Sequence, residues 1–314
     1  MAKLKGMFGE ASGETLFDLP RCDDLEQMPE AVKVVVLGAA TATPYASVGA
    51  YCADAPRAIR EASAAYGTTL PHVNFDLGAP TLPDGVLAVD AGDLPMAEEA
   101  AANRAGIRAA VERVRRAGAV PLLIGGDDSV PLPMIAAFEG QGPVWILQID
   151  AHIDWRDSVE GERFGLSSTM RRASEMAHVA GIVQVGQRGI GSARAADMAA
   201  AIAAGVTFVP AREVCGGDGI ARAVAAIPAG ARVIVCFDCD GLDPAIMPAV
   251  IAPTAGGLGY WQAVELITGV AERAEIVAFD LVELMPERDI DGRGALLAAQ
   301  LLATVMGIVA RQGR

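Results

Sequence analysis

Residues 144–154 read VWILQIDAHID, an apolar run that leads directly into Asp150, His152 and Asp154. A short, continuous apolar run that ends in polar residues is typical of a strand buried on both faces of a parallel sheet. The same pattern recurs in residues 119–129 (AVPLLIGGDDS) and in residues 233–244 (VIVCFDCDGLDP). Because ligands of parallel sheets bind beyond the carboxyl ends of the strands, the three acidic clusters are expected at one edge of one sheet.

Strand-like and helix-like segments alternate along the rest of the chain. Clear examples are residues 34–38, 56–62, 97–117, 182–186 and 276–280. Such alternation predicts an α/β fold with helices on both faces of a parallel sheet. The chain then divides into a polar N-terminal arm, residues 1–33, and a single domain, residues 34–314. The arm is expected to cover the pocket mouth or a neighbouring subunit.

The charge of the chain excludes some classes of partner. The formal net charge is −14 and there is no basic run, so neither nucleic acid nor an anionic membrane surface is expected to bind, whereas a cationic small molecule fits. The first residues lack the apolar stretch of a signal peptide. The apolar segment at residues 295–310 is too short to span a membrane and predicts a buried or interface helix. We therefore expect a cytoplasmic protein.

Five cysteines are scattered along the chain, and two of them, Cys236 and Cys239, have the spacing of a redox or zinc motif. In a strand, residues three apart point to opposite faces of the sheet, so this pair is not expected to act together. We interpret both as small core residues with reduced thiols.

Acidic residues at the ends of three predicted strands would form a cluster of buried carboxylates. Unpaired buried charge is costly, so such a cluster requires cations. Pairs of divalent ions share bridging carboxylates, which makes a dinuclear metal centre the simplest interpretation. The alternative interpretation is that the acids cap helices and loops. For Asp127, Asp154 and Asp243, each considered singly, capping is at least as good an explanation as metal binding. The candidate ligands are Asp128, Asp150, His152, Asp154, Asp238 and Asp240.

Four motifs together resemble the ureohydrolase family, which includes arginases, agmatinases and guanidinobutyrases, and resemble its agmatinase-like branch most. They are GGDDS at 125–129, DAHID at 150–154, FDCDGLDP at 237–244 and FDLVE at 279–283. The resemblance implies a three-layer α/β/α fold with a mostly parallel sheet of about eight strands. It also implies a dimanganese centre that hydrolyses a guanidino group to urea and an amine, with Ni²⁺ as the alternative metal.

The resemblance also implies a role for each matching residue. One metal would be surrounded by Asp128, Asp150, Asp154 and Asp238. The other would be surrounded by Asp150, His152, Asp238 and Asp240, so that Asp150 and Asp238 bridge the pair. Glu283 would bind the substrate guanidinium, and its alternative interpretation is a helix start or a surface salt bridge. Asp154 would accept or relay a proton.

The chain departs from the family pattern at two histidines. The family motif at 125–129 is Gly-Gly-Asp-His-Ser, and Asp128 stands here at the histidine position. The metal bound by Asp128 would then have oxygen ligands only, which favours hard ions. The extra negative charge of Asp128 implies either that this metal binds weakly or that the site works best at higher pH. Leu166 stands at the position of a second family histidine, so the proton for the leaving amine must come from Ser167, Ser168, solvent or the substrate. The two serines are the candidate substrate contacts.

A third departure concerns the substrate. Residues 249–253 (AVIAP) replace a more polar family loop. An apolar loop is compatible with two kinds of substrate besides an agmatine-like one. They are a short or alkylated guanidine, and a biguanide such as metformin. Because both family histidines are missing, an alternative function is that of a non-catalytic or weakly active subunit of a hetero-oligomer. A further alternative is that the same metals hydrolyse an amide or a formimino group. The family resemblance implies a homo-oligomer, a trimer or hexamer, unless a paralogous subunit is the partner.

Overall fold

The computed structural model describes residues 12–313. Its strands are β1 (Val32–Ala39), β2 (Val73–Asn74), β3 (Ala79–Pro80), β4 (Leu87–Asp93), β5 (Val120–Gly125), β6 (Val144–Ile149), β7 (Val179–Val185), β8 (Thr207–Val209), β9 (Arg232–Asp238) and β10 (Glu275–Val282). Its α-helices are α1 (Ala55–Ser63), α2 (Ala100–Arg116), α3 (Pro131–Ala136), α4 (Thr169–Ser174), α5 (Ala195–Ala203), α6 (Ala211–Gly216), α7 (Gly219–Ala226), α8 (Tyr260–Arg273) and α9 (Arg293–Val309).

Eight strands form one sheet in the order β4-β1-β5-β10-β9-β6-β7-β8, and all of their pairings are parallel. The short strands β2 and β3 form a separate antiparallel hairpin. β10, the last strand in the sequence, lies between β5 and β9 at the centre of the sheet. This arrangement confirms the predicted α/β/α fold and its sheet of eight parallel strands.

The sheet is buried on both faces because its strands are apolar at successive positions. In β1, Val34 and Val36 pack into the core beneath α1, α8 and α9, whereas Val35 and Leu37 pack into the core beneath α2 and α3. Parallel strands covered by helices on both sides require such continuous apolar runs. The two cores therefore form the interfaces between the three layers.

The described part of the predicted arm packs against the domain. Leu16, Phe17 and Leu19 are buried in the same core as α1 and α9. The backbone amide of Leu16 donates to Asp90 Oδ2 at 2.8 Å, which attaches this segment to β4. β1 begins at Val32, just before the predicted boundary, and residues 1–11 of the arm lie outside the described residues. The division into arm and domain stays a prediction.

The apolar C-terminal segment forms α9, which is buried along most of its length, as predicted for a buried helix. Among residues 12–313, no helix combines the length and the apolar character that crossing a bilayer requires. All five cysteines are free thiols. Cys236 lies in the core beneath α2 and Cys239 in the core beneath α9, so the two face opposite sides of the sheet as predicted.

Candidate metal centre

Four neighbouring strands bring acidic residues to one edge of the sheet. Asp128 follows β5, Glu283 follows β10, Asp238 ends β9 and Asp150 follows β6. Because these strands are adjacent and parallel, their carboxyl ends meet at the same edge. A cavity of about 160 Å³ opens there. Its charged lining includes Asp128, His152, Asp154, Asp238, Asp240 and Glu283.

Two groups of side chains in this cluster have the geometry of cation sites. One consists of Asp150, His152 and Asp240, the other of Asp128, Asp150 and Asp154, and within each group the ligand atoms lie within 4.8 Å of one another. His152 Nδ1 is 3.0 Å from Asp240 Oδ2 and 3.3 Å from Asp150 Oδ1. Asp150 belongs to both groups, so two cations bound there would share it. Asp238 lines the same cavity but belongs to neither group.

The pKa values of the cluster show that it is short of positive charge. Burial raises the pKa of Asp128, Asp154 and Asp238 well above the ordinary value, and neighbouring carboxylates raise it further. Burial would also raise the pKa of Asp150, but hydrogen bonds with His152 and Asp154 outweigh it and lower that pKa to about 2. For His152, burial favours the neutral ring, yet its two carboxylate partners raise the pKa to about 11.

One carboxylate oxygen of the cluster has no partner. Asp128 Oδ2 is buried and makes no hydrogen bond within the part of the chain that the structure describes. A buried acceptor of this kind costs free energy unless a proton or a cation meets it. The donor set is almost entirely carboxylate oxygen with one imidazole, which suits hard divalent ions. The residues present therefore fit a pair of divalent cations.

Glu283 lies beside these groups and is held on two sides. Tyr51 Oη is 2.7 Å from both carboxylate oxygens, and the backbone amide of Asp128 donates to Oε1 at 2.8 Å. Burial raises the pKa of Glu283 to about 8, although the hydrogen bond from Tyr51 acts in the opposite direction. No local sequence pattern marks Tyr51, which sequence reasoning missed. Glu283 is thus a buried acid that faces the cavity with little compensating charge.

Two of the functional candidates have a left-handed backbone. Asp154 has φ 44° and Glu283 has φ 66°, a region that residues other than glycine rarely occupy. Such conformations cost free energy, persist only where the surroundings impose them and cluster at functional sites. At both positions the turn directs a carboxylate into the cavity at the end of a strand.

Two other acids near the strand ends have structural roles. Asp127 accepts hydrogen bonds from Thr41 Oγ1 at 2.5 Å and from the backbone amide of Ser129 at 3.0 Å. Asp243 accepts from three backbone amides of its own loop, those of Ala245, Gly256 and Gly257. The capping interpretation therefore describes these two residues, whereas Asp154 lies in a ligand group.

The two serines predicted as substrate contacts have different environments. Ser167 lines the cavity together with Leu166. Ser168 does not line it: its side chain is buried, and its Oγ has no hydrogen-bond partner among residues 12–313. The reason is local, because a single 3₁₀ turn over Leu166–Ser168 directs consecutive side chains to different sides.

Apolar side chains also line the cavity, among them Trp155, Leu166, Ile251 and Ala252. Arg156 and Asp197 add one charge of each sign, with Arg156 Nε 3.7 Å from Asp197 Oδ2. Sequence reasoning missed this pair, because Asp197 lies in the first turn of α5, remote in sequence from every motif. The cavity lining thus combines the acidic cluster with apolar side chains and one oppositely charged pair.

Comparisons with known proteins agree with this arrangement. Residues 32–307 match the sequence model of the arginase family. The chain is 31% identical to agmatinase of Pyrococcus horikoshii over 71% of this chain and 75% of that protein. It is 30% identical to N(1)-aminopropylagmatine ureohydrolase of Thermococcus kodakarensis over 91% and 94%. The solved structure of proclavaminate amidino hydrolase from Streptomyces clavuligerus superposes with a TM-score of 0.80 at 26% identity, covering 98% of this chain and all of that one.

Proposed function

The chain belongs to the arginase family, and from this we propose that it uses a dinuclear metal centre to hydrolyse an agmatine-like guanidino compound. It is a hydrolase of amidine C–N bonds that acts on guanidino compounds. In the proposed reaction, water adds to the central guanidino carbon and the bond to the alkyl-bearing nitrogen breaks. The products are urea and an alkyl amine.

The observation that carries this proposal is the position of Glu283 beside the two ligand groups. A guanidinium ion donates charge-assisted hydrogen bonds to a carboxylate. Glu283 is buried in the cavity wall and held by Tyr51, so a cation bound to it would be oriented with its carbon towards the cluster. Its raised pKa shows that the carboxylate lacks a positive partner.

The metal is proposed from the donor set. Asp128, Asp150 and Asp154 would hold one ion and Asp150, His152 and Asp240 the other, with Asp238 beside them. When bound, two divalent ions supply a water that is acidic enough to act as a nucleophile near neutral pH. We propose Mn²⁺ and keep Ni²⁺ as the alternative, because predominantly carboxylate ligands favour the harder ion.

Proton transfer is assigned to groups that face the cavity. The Asp154 carboxylate lies in a ligand group and is proposed to accept the proton that the attacking water loses. The leaving amine needs a proton, which Asp154 can return to it. Ser167 lines the cavity beside Leu166 and is proposed to contact the leaving nitrogen. Ser168 has no part in this scheme because it does not line the cavity.

The tail of the substrate is proposed from the other residues that line the cavity. An aliphatic chain would pass Trp155 and Leu166 and bring a terminal ammonium to Asp197. This supports agmatine or a similar guanidinoalkyl amine. Ile251 and Ala252 also line the cavity, and this apolar contact favours a short or alkylated guanidine, or a biguanide such as metformin, as the second candidate.

The setting of the protein is proposed as well. We place it in the cytoplasm as a homo-oligomer, either a trimer or a hexamer. The mass of the purified protein in solution tests this assembly. A monomer that becomes active only with a paralogous chain would favour the hetero-oligomer instead.

The decisive experiment is urea release by the Mn²⁺-loaded protein expressed alone. The substrates are agmatine, 4-guanidinobutyrate, 3-guanidinopropionate, arginine, guanidine and metformin, assayed from pH 7 to 10, with the metal content of each preparation measured. We expect about two ions per chain, urea from agmatine, and loss of that activity in Glu283→Gln. Two bound ions with no urea from any substrate would overturn the proposed reaction, and no bound metal would support a non-catalytic subunit.

A further inference from the structure

Two buried glutamines lie directly behind the acidic cluster. Gln148 in β6 and Gln184 in β7 are partners in the register of the parallel sheet, so their side chains project from the same face. Both are almost completely buried. A primary amide is costly to bury unless its donors and acceptor are bonded, so a pair of them inside a sheet requires an explanation.

The amide nitrogen of Gln148 bridges two carboxylates. Gln148 Nε2 donates to Asp150 Oδ2 at 2.7 Å and to Asp154 Oδ2 at 2.6 Å. Both of its hydrogens are therefore used, one on each acid. Asp150 is the residue common to the two ligand groups, and Asp154 belongs to one of them. One side chain thus fixes the spacing between two candidate ligands.

Gln184 fixes the orientation of that bridging amide. Its Nε2 donates to Gln148 Oε1 and, at 2.9 Å, to the backbone carbonyl of Ile153. With the carbonyl of Gln148 occupied in this way, its amino group must face the carboxylates. A flipped Gln148 amide would place its oxygen against two acids and its nitrogen against a donor. Gln184 therefore disfavours the flipped state without touching either acid.

A neutral donor suits this position better than a cation. Asp150 and Asp154 repel one another while both are ionised, and a hydrogen-bond donor between them offsets that repulsion. A lysine or arginine would do so too, but its charge would oppose the binding of divalent ions. The amide engages one oxygen of each carboxylate and leaves the other oxygen of each acid free of that contact.

We propose that Gln148 and Gln184 are positioning residues for the metal centre, where Gln148 sets the spacing of Asp150 and Asp154 and Gln184 sets the orientation of Gln148. This inference rests on the proposed function, since it requires that the acids bind metal. Neither glutamine lines the cavity, so both act through the carboxylates and not on the substrate.

The test is Mn²⁺ binding by metal-stripped protein, measured by calorimetry, together with the electron paramagnetic resonance spectrum of the loaded protein. Gln148→Glu replaces the donor with an acceptor of the same shape, and Gln184→Leu removes the orienting donor while leaving Gln148 in place. We expect the affinity for at least one ion to fall about tenfold or more in Gln148→Glu and by a smaller factor in Gln184→Leu. The spin-coupled signal of an ion pair should weaken in parallel.

The matched control is Gln312→Glu. Gln312 bonds both backbone groups of Ile276 at the opposite end of β10, so it tests the loss of a partly buried amide hydrogen bond away from the cluster. Wild-type stoichiometry, affinity and spin coupling in both test variants would overturn the inference while leaving the proposed function intact. Wild-type protein that binds two ions but releases no urea would overturn the proposed function and leave this inference standing. A wild-type chain that binds no Mn²⁺ overturns both.

Discussion

Tyr51 and Glu283 are joined by a hydrogen bond that spans 232 residues of sequence, with Tyr51 Oη 2.7 Å from each carboxylate oxygen. Burial and the neighbouring carboxylate raise the pKa of Tyr51 far above its ordinary value, so the hydroxyl remains a donor at every pH of interest. The contact connects the segment before α1 to the loop after β10. It therefore fixes the proposed guanidinium receptor from outside the strand that carries it.

We expect Tyr51→Phe to weaken substrate binding without changing metal content. Losing a hydrogen bond to a buried carboxylate costs about 1–3 kcal/mol, so kcat/KM for urea release should fall about tenfold, mainly through KM. Tyr260→Phe is the matched control, because the Tyr260 hydroxyl also bonds a carboxylate, that of Asp76, outside the cavity. Equal kcat/KM in Tyr51→Phe and wild type would contradict the positioning role.

The metal-free protein should lose stability as the pH rises. The pKa of Glu283 is about 8 in the folded chain against 4.5 ordinarily, so between these values the folded state holds a proton that the unfolded state has released. This contribution is complete below pH 4.5 and is lost as the pH approaches 8. The pKa of His152 is about 11 in the folded chain against 6.5 ordinarily, so this residue also lowers the stability as the pH rises above 6.5. Thermal unfolding in chelator at pH 5, 6.5 and 8 should show a falling midpoint.

The Glu283 part of this slope has its own control. Glutamine has no proton to lose, so Glu283→Gln should make the decline between pH 5 and 8 shallower while leaving the parts due to His152 and to the other acids with raised pKa values. A midpoint that rises with pH in the metal-free wild type would show that these groups hold no excess protons when folded.

Mn²⁺ binding should release protons and strengthen with pH. The pKa values of Asp128, Asp154 and Asp238 are raised by burial and by one another, so a cation must displace protons from this set. Calorimetric titrations at pH 7, in buffers with different ionisation enthalpies, should give a net release of roughly one or more protons per chain. Identical binding heats in all buffers, corrected for dilution, would mean that the acids are already ionised without metal.

Asp128→His should move activity to lower pH. The substitution removes one negative charge from the cluster and replaces a buried oxygen that has no partner. With less negative charge nearby, a water held by the metals loses its proton more readily, so half-maximal urea release should shift down by about one pH unit. The measurement is the pH profile of kcat for the Mn²⁺-loaded variant beside wild type. A profile that stays in place or moves up would show that this charge does not set the pH dependence.

Asp197→Asn should discriminate between substrates by their tails. If Asp197 receives the terminal ammonium, KM for agmatine should rise about tenfold, as expected for a lost charged hydrogen bond. Guanidine has no tail and serves as the internal control, because its KM should not change. Parallel changes for both compounds would place the effect at the catalytic end, and an increased preference for 4-guanidinobutyrate would indicate Arg156 as the tail receptor.

Local sequence patterns were sufficient to predict the sheet and the acids at its edge. The runs before Asp128, Asp150 and Asp238 are mostly apolar, with Gln148 as the polar exception inside β6, and a strand buried on both faces needs such a composition. Carboxylates at the ends of parallel strands lie at the same edge of the sheet, but they meet only because β5, β10, β9 and β6 are neighbours. The short segments therefore predicted the common edge, and the strand order brings the acids together.

The remaining features depend on contacts between distant segments. Tyr51 reaches Glu283 only because β10 lies beside β5 in the sheet. The residues near Tyr51 contain no pattern that predicts this strand order. Gln148 lies within an apolar strand, and its role follows from the register that places Gln184 opposite it. The polar segment before β1 contains Leu16, whose burial depends on a groove beside α1. Register, strand order and groove shape are properties of the assembled fold.

The central position of β10 has a consequence for how the protein is made. A nascent chain that ends before β10 can form only two separate sets of strands, β4-β1-β5 and β9-β6-β7-β8, because β10 is the strand that joins them. Asp128 belongs to the first set, and Asp150 and Asp240 to the second. The group of Asp150, His152 and Asp240 lies wholly in the second set, whereas the group that contains Asp128 needs both sets and the guanidinium receptor Glu283 follows β10. The dinuclear centre therefore becomes complete only late in translation, and a prematurely terminated chain would carry at most one of its two cation sites.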